Sequence, residues 1–180
     1  ATTLLPRAQA RPSAIAPGWL LATEAPADFD PTGYLVSEKY DGVRALWDGH
    51  QLRLRSGTSV AAPAWFAAGL PAVPLDGELW LGRGRFEAVS GLVRSQRLDD
   101  PAWHDVRLMV FELPGAPGGF AQRAQHIQGL AASAGPGSWL AVQHARVGDT
   151  AALQARLAQV VSAGGEGLML HRADAPWQTG

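Results

Sequence analysis

The sequence predicts an α+β domain of mainly antiparallel sheets flanked by helices. Short apolar runs with strand character outnumber helical ones, and neighbouring runs meet at a hairpin signal. Helical stretches are interspersed among the strands, which favours one mixed domain over an all-β fold. Composition agrees: 47% hydrophobic and 17% charged residues in a 180-residue chain describe a folded domain with a real core.

Residues 1–33 are rich in Ala and Pro and read as an irregular arm anchored by Trp19-Leu20-Leu21. Residues 34–180 read as the domain proper. Tyr34 to Lys39 is a strand. Arg44 to Trp47 and Gln51 to Arg55 are two more, joined at Asp48-Gly49, a pair suited to a tight hairpin. Gly42 suits a sharp turn or a close approach of the backbone to a phosphate. Pro63 to Leu70 is a short helix, with Pro63 tolerated in its first turn. Val73 to Leu81 is a strand, Gly82-Arg83-Gly84-Arg85 a basic turn, Phe86 to Val93 a helix, and Asp100 to His104 a helical turn. Val106 to Leu113 is a strongly apolar strand, followed by a loop rich in Pro and Gly. Phe120 to Ala134 is a helix with Phe120, Ile127, Leu130 and Ala134 on its apolar face. Trp139 to Val147 is a strand. Asp149 is placed to cap the next helix by accepting a backbone N–H. That helix has Leu153, Leu157, Val160 and Val161 on one face, and Gly164-Gly165 ends it. Glu166 to His171 is the last strand, and Pro176 begins a tail.

Composition also excludes several classes of function. There is no cysteine, so disulfides and thiolate metal sites are out. The five histidines show no zinc-ligand spacing. No apolar run approaches the ~20 residues of a membrane span. The formal net charge is −1, so any nucleic-acid surface must be a local patch of arginine. The densest such patch is Arg83, Arg85, Arg94 and Arg97; a solvated surface is the plain alternative.

Lys39 is the only lysine among 15 Lys and Arg residues. An isolated lysine in a chain that otherwise uses arginine suits a task arginine does not serve. Arginine stays protonated, whereas a lysine amine is able to lose its proton and attack an electrophile. Its setting is Lys39-Tyr40-Asp41-Gly42-Val43-Arg44, followed in order by Leu75-Asp76-Gly77-Glu78-Leu79-Trp80, Val110-Phe111-Glu112-Leu113 and Glu166-Gly167-Leu168-Met169-Leu170-His171. These segments resemble the ordered motifs of the covalent nucleotidyltransferases: DNA ligases, RNA ligases and mRNA capping enzymes. Within them the chain is most similar to minimal ATP-dependent DNA ligases of bacteria, notably at Glu38 to Ala45 and at Gly82 to Glu87. The resemblance covers Tyr34 to about Trp177.

The resemblance implies an ATP-grasp-like nucleotidyltransferase fold, two sheets flanking a nucleotide cleft. It implies that Lys39 attacks the α-phosphorus of ATP and carries AMP, which then passes to the 5′-phosphate of a nick in duplex DNA. Arg44, Arg55, Glu78, Phe111 and Glu166 would bind the nucleotide. Asp41, Glu78 and Glu166 would hold Mg²⁺, a hard cation suited to carboxylates and phosphate. On a strand, Asp41 would share a face with Lys39. Leu54 stands where the family has a hydroxyl residue before Arg55, and Glu112 where it usually has aspartate. Taken alone, a Phe in Leu-Met-Val-Phe is more often a core residue than a base-stacking one.

The family also has a final motif with lysines on the α-phosphate, then an OB-fold domain. With Lys39 the sole lysine, that motif is missing, and the chain stops at Gly180. The expectation is an incomplete adenylation domain whose 180 residues adenylate themselves weakly or not at all. A monomer without membrane contact is expected. Minimal ligases often carry a secretory leader, so the periplasm is the implied compartment and the cytoplasm the alternative. The rival readings are an RNA ligase, a capping-type nucleotidyltransferase, and a non-catalytic nucleotide- or DNA-binding module.

Overall fold

A computed structural model describes residues 2–4 and 22–178. The Trp19-Leu20-Leu21 cluster lies outside the described residues. Among the described residues nine strands form two sheets. The smaller has the order β2 (Thr23–Glu24), β1 (Thr2–Leu4), β9 (Gly167–Arg172), β3 (Tyr34–Lys39). The larger has the order β5 (Leu52–Leu54), β4 (Val43–Trp47), β6 (Leu75–Trp80), β7 (Arg107–Glu112), β8 (Trp139–Ala141). Pairing is antiparallel except for β1 with β2 and β7 with β8.

Each sheet has its own core. On the larger, α1 (Ala64–Ala68), α2 (Phe86–Ser95) and the 3₁₀ turn Pro101–His104 bring Phe66, Val89 and Trp103 against Trp47, Leu79 and Leu108. Ile127 of α3 (Phe120–Ala134) joins them. On the smaller, α4 (Thr150–Ser162) lays Leu153 and Val160 on Leu4, Val36, Leu168 and Leu170. Asp149 caps α4 as expected, accepting from the Ala152 N–H at 2.7 Å.

Three expectations need correction. Thr2–Leu4 is no irregular arm: it is an interior strand bonded to β9 in register Thr3↔Met169. The strand expected over Trp139 to Val147 ends at Ala141, because the chain then crosses from one sheet to the other. Val142 N–H still bonds the Val110 carbonyl, but Ala145 exchanges two backbone bonds with Val36 of the smaller sheet. Ala134 is exposed rather than on the apolar face of α3. The buried face of α3 instead includes Arg123.

Candidate active site

A cavity of about 320 Å³ lies between the sheets. Period-two alternation explains its walls. On β3, Val36 enters the core, while Leu35, Ser37 and Lys39 face the cavity. On β9, Leu168 and Leu170 enter the core, while Met169 and His171 face the cavity. The larger sheet contributes Arg44 from β4, Glu78 from β6, Phe111 from β7, and Arg55 just beyond β5. Five of the residues named from sequence, Lys39, Arg44, Arg55, Glu78 and Phe111, therefore converge.

Lys39 closes β3 opposite Gly167, and its Nζ is paired with the carboxylate of Glu166 at the threshold of β9. The strand ends there, so alternation does not carry on to Asp41. Asp41 is exposed and borders a second cavity of about 120 Å³, together with Lys39 and Glu166. Glu78 lines the larger cavity instead, and Lys39 stands between the two. Among the described residues no three His, Asp or Glu side chains gather into a metal site, so the trio Asp41, Glu78 and Glu166 is not assembled as one cluster.

Arg44 and Glu78 are direct cross-strand partners on β4 and β6. Burial pushes the Glu78 carboxyl up to about 8, against the pull of Arg44. A carboxyl kept protonated at neutral pH donates as well as accepts a hydrogen bond. Arg44 forks onto buried Asp76, with Nε–Oδ1 at 3.0 Å and Nη2–Oδ2 at 2.7 Å, and lies 5.3 Å from the Phe111 ring centre. Sequence reasoning left Asp76 without a role, although its alternation with Glu78 placed both on one face. Gly42 serves a close approach, but to protein: a side chain there would collide with the Leu79 carbonyl oxygen and come within 2.9 Å of Glu78 Cγ.

Alternation puts Phe111 on the cavity face, opposite Leu108 and Val110 of the core. A β-bulge lies at the same point: Asp76 pairs with Glu112 but Gly77 with Val110. A bulge re-aims a neighbouring side chain, and here it brings Glu112 to the cavity wall as well. Glu112 is fully buried in a bidentate pair with Arg123, at 2.7 and 2.9 Å. Arg123 also donates to the carbonyls of Gly118 and Ala175.

The four clustered arginines part company. Arg83 is bound to Glu38, Arg94 donates to the Ser90 carbonyl of its own helix, and Arg85 and Arg97 border a shallow groove along α2. All four are exposed.

Two histidines given no role from the sequence, His144 and His171, also line the cavity. Phe120 stacks on His171 at 3.7 Å between ring centres and meets His144 edge-on at 5.0 Å. Burial lowers His144 to about 4 and His171 to about 3. A histidine held neutral in the folded chain contributes stability that is present above its unfolded pKa near ~6.5 and is lost as pH falls through the folded value. Relative to a His144→Gln/His171→Gln variant, the wild type is expected to lose stability from pH 6.5 down toward 4. The slope is at most about 1.4 kcal/mol per pH unit for each histidine. Urea unfolding midpoints across this range check it, and parallel curves for the two proteins would refute it.

No model of a known protein family matches the chain. Over 147 residues it is 33% identical to a DNA ligase of Haemophilus influenzae, a match that spans 81% of this chain and 54% of that protein. A solved Lig E DNA ligase, studied for DNA binding with a minimal scaffold, superposes with a TM-score of 0.78 at 41% identity over 85% of this chain and 60% of that one. Chlorella virus DNA ligase-adenylate superposes at 0.69 with 15% identity over 81% of this chain and 55% of that one, a likeness of fold alone. The chain thus spans about half the length of the curated relative. By sequence and by fold the chain is thus similar, over most of its own length, to part of the DNA ligases.

Proposed function

We propose that the chain is the nucleotide-binding, self-adenylating part of an ATP-dependent ligase that joins nicks in duplex DNA. The observation that carries this reading is Lys39, the sole lysine, set at the junction of a nucleotide-sized cavity and a carboxylate that touches its Nζ. In the first step the Nζ lone pair attacks the α-phosphorus of ATP. The bond to pyrophosphate breaks, pyrophosphate leaves, and Nζ gives up a proton. Glu166 Oε1 is the group placed to take it. AMP on Lys39 then passes to the 5′-phosphate of the nick, and attack by the 3′-hydroxyl releases AMP.

The chain's own groups suit a hard divalent cation. Glu166 Oε2 is buried with no hydrogen-bond partner among the described residues; the Glu78 carboxyl, protonated while no cation is near, would give up its proton on binding one. Glu166 and Glu78 would hold Mg²⁺, which when bound offsets charge on the phosphates. Arg55 and Arg44 border the cavity as further nucleotide contacts, and Arg85, Arg94 and Arg97 remain candidates for DNA phosphates. No helix among the described residues is long and apolar enough to cross a membrane. The periplasmic location suggested by the resemblance finds no support in the curated relative.

Phe111 gives the base a flat apolar partner. Phe111→Ala is expected to weaken ATP binding by about 1–3 kcal/mol, the scale of a lost base–aromatic stack. Calorimetry on the folded variant measures it; unchanged affinity would return Phe111 to a packing role.

Sealing of a 5′-phosphorylated nick with ATP and Mg²⁺ tests the whole reading. Residues 1–180 alone are expected to seal poorly, and the same residues fused to a ligase OB-fold domain to seal at an enzyme's rate. A fusion that binds ATP and DNA but never takes up AMP would make this a binding module. Sealing confined to RNA ends would favour the RNA ligase alternative.

A further inference from the structure

We propose that Arg83 is a positioning residue that holds the reacting lysine and its carboxylate partner together, rather than a contact for DNA. The role rests on Lys39 being the nucleophile. Lys39, Glu166 and Glu78 come from three separate segments: the end of β3, the turn between α4 and β9, and β6. Arg83 bonds across all three. It sits on the turn that follows β6. Its Nε and Nη2 fork onto the two oxygens of Glu38, the residue before Lys39, both at 2.9 Å. Its Nη1 donates to the Ala163 carbonyl at 3.1 Å, three residues before Glu166.

Packing at the same point supports this. A Cβ on Gly165 would lie 3.0 Å from Glu38 Oε1 and 2.5 Å from Val160 Cγ1. The turn that presents Glu166 is thus pressed against the carboxylate that Arg83 grips, and only glycine fits there. All three guanidinium nitrogens already have acceptors. A DNA phosphate would have to displace a bidentate carboxylate, the strong geometry for arginine.

An exposed pair of this kind adds little to stability, about 0–1 kcal/mol. A misplaced reacting group, by contrast, costs up to ~100-fold in rate. Arg83→Ala is therefore expected to leave the unfolding midpoint nearly unchanged. It should slow AMP transfer at saturating ATP by roughly 10- to 100-fold. The ATP concentration for half-maximal rate should hold, because Arg44 and Phe111 are untouched. Glu38→Gln should act in the same direction.

A second readout does not depend on chemistry. With one lysine in the chain, ¹³Cε-lysine labelling gives a single resonance that reports the surroundings of Nζ. Arg83→Ala and Glu38→Gln should both move it, and Arg94→Ala should not. An unmoved resonance in folded Arg83→Ala overturns the proposal. So does a variant that adenylates normally but binds nicked duplex several-fold more weakly, which would make Arg83 a phosphate contact. If Arg83→Ala fails to fold, Arg83→Gln and Glu38→Gln decide by the same resonance. A wild-type chain that takes up no AMP even when fused to a ligase OB-fold domain would sink the ligase reading, and the resonance would still decide whether Arg83 positions Lys39.

Discussion

Lys39→Arg is expected to take up no AMP at all. Arginine preserves the positive charge beside Glu166, so the fold survives; the ion pair is partly exposed, at 28% and 31% of the two side chains, and is worth at most about 1 kcal/mol. What disappears is the chemistry. A guanidinium does not give up its proton at neutral pH and offers no lone pair to phosphorus. Radiolabelled ATP followed by a denaturing gel registers even a small labelled fraction, which matters if residues 1–180 react slowly on their own. Label on the arginine variant would place the covalent site elsewhere, and no other lysine exists to receive it.

Arg123→Ala is expected to cost about 3–5 kcal/mol of stability, the usual consequence of removing one partner from a buried ion pair. Both side chains of the Glu112–Arg123 pair are 1% exposed. Truncation leaves the Glu112 carboxylate buried without its cation and strips the Gly118 and Ala175 carbonyls of a donor. Replacing both, as Glu112→Leu/Arg123→Met, should recover most of the loss, since an apolar pair needs no compensation. Urea unfolding measures both variants; a single variant as stable as wild type would show that water reaches the carboxylate. Nucleotide affinity should fall with the single variant too, because Glu112 adjoins Phe111 on the cavity wall.

Much of this was legible in the residues. The helix Phe120–Ala134 and the Asp149 cap follow from local patterns, since periodicity and capping act within a turn or two of chain. The convergence of Lys39, Arg44, Glu78 and Phe111 followed from motif order. What was hidden depends on partners far away in sequence. Three residues, Thr2–Leu4, carry no strand signal of their own and become one only by pairing with β9. The strand at Trp139 stops early because Ala145 finds Val36 in the other sheet. A bulge is a matter of register between β6 and β7, so the turn of Glu112 toward the cavity could not be read from its own run. Arg123 had no role from its own helix, because its counter-charge Glu112 lies on another element.

The pairing of β1 with β9 sets an order of assembly during synthesis. The larger sheet uses only residues 43–141, so it is free to form while the rest of the chain is still emerging. The smaller sheet joins residues 2–4 to residues 168–170, a closure across nearly the whole chain. Long-range pairings of this sort come late, because the entropy of closing the loop is lost before the contacts reward it. Lys39 lies on that late sheet, and its partner Glu166 is made 127 residues after it. A nascent chain therefore holds half a cleft before Lys39 and Glu166 are able to meet.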